Sequence, residues 1–476
     1  MLKSTILSAL LILAGCGLPQ GSGTSAGVTY HRDVRPIIAE RCGGCHSAGG
    51  IGGLVLDGSP VLTPLMMAKI EDGSMPPWPP GPLTPELVGE RKLLAGELAT
   101  LRRWADAGSP RGNQADYHPA VTPDAAQYNL TMRMSAPFHP TAGQSDQYRC
   151  FVLPGLPGGW ITALEWMSGT PSAVHHVGGV TVDAAGLAVL RSRGMDAPGG
   201  WDCPADFGPT PAIAGLSATS ASDPGFSLPD GMGIAAPVGG AIVVQVHYVP
   251  QSVGSAGDVT GVRLRIEQGS KRAVTEFQFV APVEVPCALG VSSDPTNRCS
   301  RQYAFDHDGF RTPAQARADS DYALARCGQT LAGYYAKLPW QTSPQPSFLV
   351  PTDCTNAIPV SGDLLGVHLH MHTRGKSGRI ELEQPDGTWK IVLDVPRWRW
   401  PWEQGYMLHT PIPVHVGQRV RVSCVIDNGT ASQWGPAGPG HDGPAVPPLE
   451  SQAHRIGGST RGSEMCGAFL QIARKS

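Results

Sequence analysis

Residues 241–248 read AIVVQVHY, a run of eight that consists mostly of β-branched and aromatic residues. Side chains of these types favour extended strands. Comparable runs at residues 261–266 (GVRLRI) and 418–426 (QRVRVSCVI) alternate with turns rich in glycine and proline, which number 60 and 45 in the chain. From about residue 120 onward, this pattern predicts a mainly β protein whose strands pair antiparallel in sandwiches.

The composition sets the scale of the protein and excludes one class of partner. A chain of 476 residues has room for about three domains. Its 41% of hydrophobic residues and its 11 tryptophans argue against the disorder that the glycine and proline content alone would suggest. Because only 16% of the residues are charged and the net charge is −3, we expect no basic surface that binds nucleic acid.

Residues 1–16, MLKSTILSALLILAGC, have the pattern of an export signal, in which Lys3 precedes an apolar stretch too short to span a bilayer. The ending LAGC resembles the lipobox of bacterial lipoproteins, which implies that Cys16 is lipidated and anchors the protein to a membrane. An ordinary cleaved signal peptide is the alternative. Gly17 favours the outer membrane, and we expect an exported lipoprotein in the periplasm or at the cell surface, where disulfides can form. Residues 17–28 would be a linker.

Residues 41–46, RCGGCH, contain a CxxCH motif. The thiols of Cys42 and Cys45 can add to the two vinyl groups of a haem, while His46 ligates the iron. A structural zinc site or a redox CxxC is the alternative. Zinc would need a second pair of ligands, and no further cysteine occurs before Cys150. The motif therefore predicts one covalently attached haem c.

Helical patterns on both sides of the motif make residues 29–112 resemble a small class I cytochrome c domain. The loop between the helices should supply the sixth iron ligand. Met75 is the best candidate because the prolines that follow it stiffen the loop. Met66 and Met67 are weaker alternatives that fit a hydrophobic core. A haem with two protein ligands predicts an electron-transfer module.

Six histidines fall in three strand-like segments of the remaining chain. They are His175 and His176, then His247, then His368, His370 and His372. Alternate residues of a strand project from one face, so the last three side chains can approach one ion. Imidazole ligands suit copper, zinc, iron and nickel, and the residues alone do not name the metal.

Short segments around these histidines occur in the same order as in the type II copper, ascorbate-dependent monooxygenases, the family of the peptidylglycine α-hydroxylating and dopamine β-hydroxylating enzymes. The segments are DQYRCF (146–151), HH (175–176), WDC (201–203), QVHY (245–248), HMHTRGK (370–376) and IGGSTRGSEMC (456–466). The resemblance spans roughly residues 125–476. It implies two jelly-roll sandwich domains, here residues 125–272 and 273–476, with one copper ion in each.

The resemblance also implies roles for individual residues. His175, His176 and His247 would hold an electron-donating copper, while His370, His372 and Met465 would hold the copper at which O2 binds and the substrate is hydroxylated. His368 stays open between a substrate contact and a group beside the ligands. Disulfides would join Cys150 to Cys203 and Cys424 to Cys466. A soft thioether suits Cu(I), which agrees with the division of labour between the two ions.

The chain departs from the family in several places. Where the peptide-amidating relatives hold the substrate carboxylate, this sequence has His368, Gly467 and Phe469. Since a carboxylate clamp needs a cation and hydrogen-bond donors, a glycine-extended peptide is not the expected substrate. Residues 287–354 form an insert with a predicted helix over residues 313–336. The insert carries Cys287, Cys299, Cys327 and Cys354, for which three pairings stay open.

The fused haem would take the place of ascorbate as a built-in electron donor. We therefore expect a copper-dependent monooxygenase that hydroxylates a C–H bond of a small molecule with O2. Electrons would pass from an external donor through the haem to the all-histidine copper. A non-catalytic haem and copper lipoprotein is the alternative, whereas zinc hydrolysis fits poorly with a methionine ligand.

Overall fold

The computed structural model describes most of the chain. It covers residues 27–46, 54–56, 58, 61–119, 128–141, 147–170, 173–203, 207, 210–220, 225–248, 257–287, 298–308, 311–338, 349–428, 453–458 and 463–475. The side chains of residues 175, 217–220 and 401 are not included in this description. The predicted export signal and Cys16 lie outside the described residues.

Helices of the described residues occur in three places: the N-terminal module (residues 29–112), the first β unit (residues 125–272) and the insert. The α-helices are α1 (Arg35–Arg41), α2 (Pro64–Glu71), α3 (Ala95–Asp106), α4 (Ala184–Ser192), α5 (Arg301–Asp306), α6 (Pro313–Arg326) and α7 (Leu331–Ala336). A π-helical turn, Tyr30–Val34, precedes α1, and 3-10 turns span Gln114–Asp116 and Trp400–Trp402.

The rest of the described structure is built mainly from β-strands. They are β1 (Leu130–Arg133), β2 (Gln147–Pro154), β3 (Trp160–Met167), β4 (Val174–Val182), β5 (Trp201–Asp202), β6 (Ala214–Ser220), β7 (Gly225–Ser227), β8 (Met232–Ala235), β9 (Ala241–Tyr248), β10 (Gly261–Glu267), β11 (Arg272–Val280), β12 (Glu284–Val285), β13 (Leu349–Ala357), β14 (Gly362–His370), β15 (Gly375–Glu383), β16 (Trp389–Val395), β17 (Tyr406–Val414), β18 (Arg419–Asp427), β19 (Arg455–Ile456) and β20 (Gly467–Arg474). This confirms the prediction of a mainly β protein.

A nine-stranded sheet runs through both β units. Its order is β1-β10-β3-β8-β11-β20-β14-β17, and β7 joins it at β3. A five-stranded sheet, β5-β2-β9-β4-β6, and a four-stranded sheet, β13-β18-β15-β16, accompany it. Neighbouring strands of these sheets pair antiparallel except β8 and β11, which pair parallel where the two units meet.

Two hydrophobic cores show which sheets face each other. In the first, Val244 of the five-stranded sheet packs with Leu164 and Leu264 of the nine-stranded sheet. In the second, Val422 of the four-stranded sheet packs with Leu369 and Leu470. Each β unit is therefore two layers of sheet over one core, and the long sheet contributes to both units.

Four disulfides stabilise the β units. The structure joins Cys150 to Cys203 and Cys424 to Cys466, the two pairs that the family resemblance implies. In the insert it joins Cys287 to Cys299 and Cys327 to Cys354, which answers the open pairing. Disulfides of this number fit an exported protein. Among the described residues, we find no helix that combines the length and apolar character needed to cross a membrane.

The single helix predicted over residues 313–336 is wrong in detail, because the structure has α6 and α7 in its place. The helix α6 begins with a capping box between Thr312 and Gln315 and ends at Cys327. Gly328 then adopts a positive φ of 64°, the left-handed conformation that commonly terminates helices.

Candidate metal centres

Three candidate ligands of the second β unit, His368, His370 and His372, lie at the end of a central strand. His368 and His370 belong to β14, opposite Phe469 and Gly467 of β20, and His372 follows just beyond. Their exposed fractions are only 4%, 7% and 2%. Imidazoles this deeply buried require specific polar partners.

Glu403 is the polar partner that the sequence did not single out. It follows the Trp400–Trp402 turn and is 4% exposed. Its Oε1 lies 2.9 Å from His368 Nε2 and also bonds to His370 Nδ1. Burial alone would raise the pKa of Glu403, but the two histidines hold it well below its usual range. Burial would likewise lower the pKa of His370, yet Glu403 raises it. Glu403 is therefore an ionised carboxylate that orients His370.

His372 is oriented in a similar way by a backbone carbonyl. Its Nδ1 lies 3.1 Å from the carbonyl oxygen of Ser463, and its ring centre is 5.2 Å from that of His370. In both rings Nδ1 has a hydrogen-bond partner, so coordination of one ion by the pair would use the two Nε2 atoms. Metal-binding histidines commonly have this arrangement, in which one ring nitrogen binds the ion and the other is held by an oxygen.

A different trio also satisfies the geometric requirement for a metal ion. The ligand atoms of His368, His370 and Glu403 all lie within 4.8 Å of one another. Two imidazoles and one carboxylate form a ligand set used for non-haem iron. The second cluster, which we define as His368, His370, His372 and Glu403, therefore offers two overlapping places for an ion.

Met465 follows two residues, Ser463 and Glu464, that form hydrogen bonds with His372. The preceding residue, Glu464, accepts hydrogen bonds from the backbone N–H groups of His372 at 3.0 Å and Arg374 at 2.7 Å. The following residue, Cys466, forms the disulfide with Cys424. Met465 itself is half-buried. These contacts of Glu464 and Cys466 fix the backbone on both sides of Met465.

The first cluster, which we define as His176 and His247, lies in the five-stranded sheet. The two residues are opposite each other on β4 and β9, and their ring centres are 4.8 Å apart. The ring of Tyr148 stacks on His247 at 3.9 Å. Burial, reinforced by His247, lowers the pKa of His176 to about 3. His176 is therefore neutral, as a metal ligand must be. The backbone of His175 belongs to β4, but its side chain lies outside the described residues.

The turn that carries Trp400 connects the two clusters. The ring of Trp400 lies 5.5 Å from that of His247 and belongs to the turn that leads to Glu403. The charges of Glu403, His370 and His368 also act on the pKa of His176. Trp398 and Trp400 are both buried, and both belong to the core of the second β unit.

The CxxCH motif lies at the end of α1. Neither Cys42 nor Cys45 belongs to any of the four disulfides. His46 Nδ1 bonds to the carbonyl oxygen of Leu54 at 2.9 Å, which leaves Nε2 as the atom to ligate an iron. Burial, with Cys45 nearby, raises the pKa of Cys42 to about 11. A redox CxxC instead needs a lowered thiol pKa, so this environment argues against one.

The three candidate methionines of the N-terminal module differ in their surroundings. Met66 and Met67 pack against the core formed by residues such as Leu101 and Trp104. Met75 is half-buried in the loop after α2, where its backbone N–H donates to the carbonyl oxygen of Lys69 at 2.9 Å. The packing supports the interpretation of Met66 and Met67 as core residues.

Among the residues that the sequence missed, Glu403 matters most. The available signal was one acidic residue after a run of tryptophans, in RWRWPWEQGY (397–406). An acidic side chain in an apolar, aromatic segment is buried at a cost and needs partners. The segment lies 33 residues from His370 in the chain, so only the fold shows that those partners are histidines.

Comparisons with known proteins give no family. No family model matches the chain, and no curated protein matches it. Solved structures with weak similarity include a Paenibacillus xanthan lyase (8% identity, 70% of this chain, 23% of that chain, TM-score 0.17). The VP2 subviral particle of infectious bursal disease virus is 9% identical over 72% of this chain and 71% of that chain, with a TM-score of 0.17. A two-domain protein of unknown function from Bacteroides fragilis is 11% identical over 60% and 93%, with a TM-score of 0.15. The chain thus spans less than a quarter of the lyase, and TM-scores this low support no conclusion about fold or function.

Proposed function

We propose that the protein is a copper-dependent monooxygenase that hydroxylates a C–H bond of a small molecule with O2, with electrons supplied through a fused c-type haem. One observation carries the proposal: two buried histidine clusters are connected through the turn that carries Trp400, and the rings of His370 and His372 in the second cluster are oriented through Nδ1. In this proposal the β units are jelly-roll sandwiches and the N-terminal module is a class I cytochrome c.

The residues of the second cluster fit a copper ion. His370 and His372 would bind it through Nε2 and Met465 through its thioether, while Glu403 and the Ser463 carbonyl hold the rings. Glu403 Oε2 is buried and has no hydrogen-bond partner among the described residues, which suits a group next to a cation. In the first β unit, His175, His176 and His247 would hold the electron-donating copper. Bound copper would supply the electron transfer and O2 activation that side chains cannot perform.

The N-terminal module fits a haem in the same sense. Cys42 and Cys45 would form the thioether bonds, and His46 and Met75 would ligate the iron. The bond from His46 Nδ1 to Leu54 orients the ring for that role. We further propose that the protein is exported and anchored through Cys16, and that it takes electrons from an external donor. The four disulfides agree with export.

The surroundings of His368 support a substrate other than a glycine-extended peptide. Its ring stacks on Phe469 at 5.3 Å, and its Nε2 bonds to Glu403. The positions that would clamp a carboxylate are therefore occupied by an aromatic contact and an acidic partner. An anionic group would be repelled by Glu403 here.

A second candidate, a protein with a single mononuclear metal centre, follows from the trio of His368, His370 and Glu403. Their ligand atoms are close enough for one ion, and such a set suits a mononuclear iron centre. In that case His372 and Met465 would not be ligands, and the copper assignment would fail.

Metal analysis combined with oxygen uptake tests the proposal. We expect two copper ions and one haem in each chain, and consumption of O2 that requires a reductant. Full loading without O2 uptake against a broad panel of small molecules would instead support the non-catalytic haem and copper protein. To separate the two ion positions, His372→Ala should remove one copper, whereas His368→Ala should keep both.

A further inference from the structure

The N-terminal module rests against the segment that carries Glu403. The backbone N–H of Val88 donates to the carbonyl oxygen of Met407 at 2.8 Å, and the N–H of His409 donates to that of Glu86 at 3.0 Å. Between these bonds, Leu87 is 3% exposed and belongs to the core of the second β unit. Residues 86–88 therefore extend the pairing of β17 and are part of the second unit's core.

A second group of contacts fixes the strand that leads into this segment. The backbone N–H of Gly81 donates to the carbonyl oxygen of Asp394 at 2.7 Å, and the N–H of Asp394 donates to the hydroxyl of Thr84 at 3.0 Å. A Cβ added at Gly81 would lie only 2.8 Å from Pro396 Cδ. These two segments of the chain therefore approach as closely as a glycine permits. The end of β16 is thus held by the module as well.

Two side chains of the module reach the residues that immediately follow Glu403. The guanidinium of Arg91 donates to Gln404 Oε1, and Gln404 is 5% exposed. The ring of Trp78 meets the ring of Tyr406 edge-on at 5.5 Å, and Arg91 lies over Trp78 at 5.9 Å. A buried hydrogen bond to a charged donor is among the stronger kinds of side-chain contact.

The hydrogen bonds described for Glu403 join it to three residues. Its backbone N–H donates to the carbonyl oxygen of Trp400 at 3.2 Å, and its carboxylate bonds to His368 and His370. The position of the carboxylate is therefore set by Trp400 on one side and by Gln404 and Tyr406 on the other. The N-terminal module contacts both Gln404 and Tyr406.

We propose that Arg91 and Trp78 are positioning residues for the second cluster. By holding Gln404 and Tyr406, the docked module keeps the Glu403 carboxylate on His370 Nδ1, and so keeps Nε2 directed at the metal. This inference rests on the proposed function. It means that the second centre has its full metal affinity only while the module that would carry the haem is docked against it.

Copper affinity of the second cluster in the full chain tests the inference. Groups that orient metal ligands typically change metal affinity by about 10–100-fold, and Arg91→Ala, which acts through Gln404, should fall near about 10-fold. Trp78→Ala should act in the same direction. The affinity of the first cluster and the haem absorbance spectrum should not change. Arg102→Ala is the matched control, because Arg102 pairs with Glu71 on the exposed side of the same module.

A double-mutant cycle separates positioning from loss of folding. If Arg91 acts through Gln404, then Arg91→Ala and Gln404→Ala should each weaken copper binding, and the double variant should be no weaker than the single ones. Arg91→Lys keeps a donor and should restore part of the affinity. Unchanged copper affinity in both Arg91→Ala and Trp78→Ala would overturn the inference. Failure of the proposed function would look different, because the unmodified protein would bind no copper at His370 and His372.

Discussion

The two histidine clusters are built from similar strands but have opposite electrostatic surroundings. In the first, His176 and His247 contact each other and the rings of Tyr148 and Trp400, and burial keeps His176 neutral. In the second, an ionised Glu403 holds His370. Neutral, closely packed imidazoles suit an ion that exchanges electrons with little rearrangement. A carboxylate that accepts a hydrogen bond from one ring fixes the orientation of that ring and makes it a more basic ligand.

The largest expected effect comes from replacing Met465, the proposed ligand beside the second cluster. Met465→Ile removes the proposed soft ligand while keeping an apolar side chain of similar size, so O2 uptake should fall below detection. The first cluster should keep its copper. Met195→Ile provides the control, since Met195 packs beside α4, in the first β unit. Oxygen consumption with excess reductant and copper content are the two measurements. Turnover that survives Met465→Ile would show that the oxygen site is assigned to the wrong residues.

The next effect concerns the carboxylate that distinguishes the clusters. Glu403→Gln should weaken copper binding at the second cluster by about 10–100-fold, because His370 loses the charged group that orients it. Binding at the first cluster should stay the same. Competition titration of the copper-free protein measures both affinities.

Glu284→Gln is the matched control for this change. Glu284 is also fully buried and lies 3.0 Å from a histidine, His454, but Arg301 completes its ion pairs. We expect no change in copper affinity for this variant. Equal losses in the two variants would mean that Glu403 acts through general stability and not through His370.

Removal of either of two disulfides should have an effect of intermediate size, and the two removals can be compared. Cys150–Cys203 and Cys424–Cys466 close segments of 53 and 42 residues, so removal of either should lower the free energy of unfolding by a similar amount, about 2–4 kcal/mol. Only the second adjoins a proposed ligand, Met465. Chemical denaturation should therefore give similar losses for Cys150→Ala/Cys203→Ala and Cys424→Ala/Cys466→Ala, while copper binding at the second cluster should weaken only in the latter. Weakened binding there in both variants would contradict a local role for Cys466.

The smallest effect is a pH dependence of stability at Glu284. Burial alone would raise the pKa of Glu284, but His454, Arg301 and Ser320 lower it below its ordinary value of 4.5. An acidic group whose pKa is lower in the folded protein stabilises the fold fully at pH values above its ordinary pKa. This contribution is lost as the pH falls through the pKa of the folded state. In Glu284→Gln, the free energy of unfolding should vary less with pH below about pH 4.5. Urea denaturation at several pH values measures the slope, with Glu71→Gln on the exposed surface as control. An unchanged slope in Glu284→Gln would show that Glu284 does not contribute to the loss of stability at acidic pH.

The sequence predicted the mainly β architecture because strand residues and turn residues alternate locally. It also indicated His370 with His372, because alternating histidines in one strand are visible without a fold, whereas the grouping of His175 and His176 with His247 came only from the family resemblance. It could not indicate Glu403, whose partners are brought to it by the pairing of β14 with β17. The docking of residues 78–91 on the second β unit was hidden for the same reason, since Trp78 and Tyr406 meet only in the folded chain.

Metal content of the intact chain tests the central claim most directly. We predict two copper ions and one haem in each unmodified chain, one copper in His372→Ala and one in His247→Ala. His368→Ala should retain both. A single metal ion that is lost in His368→Ala and in Glu403→Ala, but kept in His372→Ala and Met465→Ile, would contradict the two-copper assignment and establish the mononuclear centre in its place.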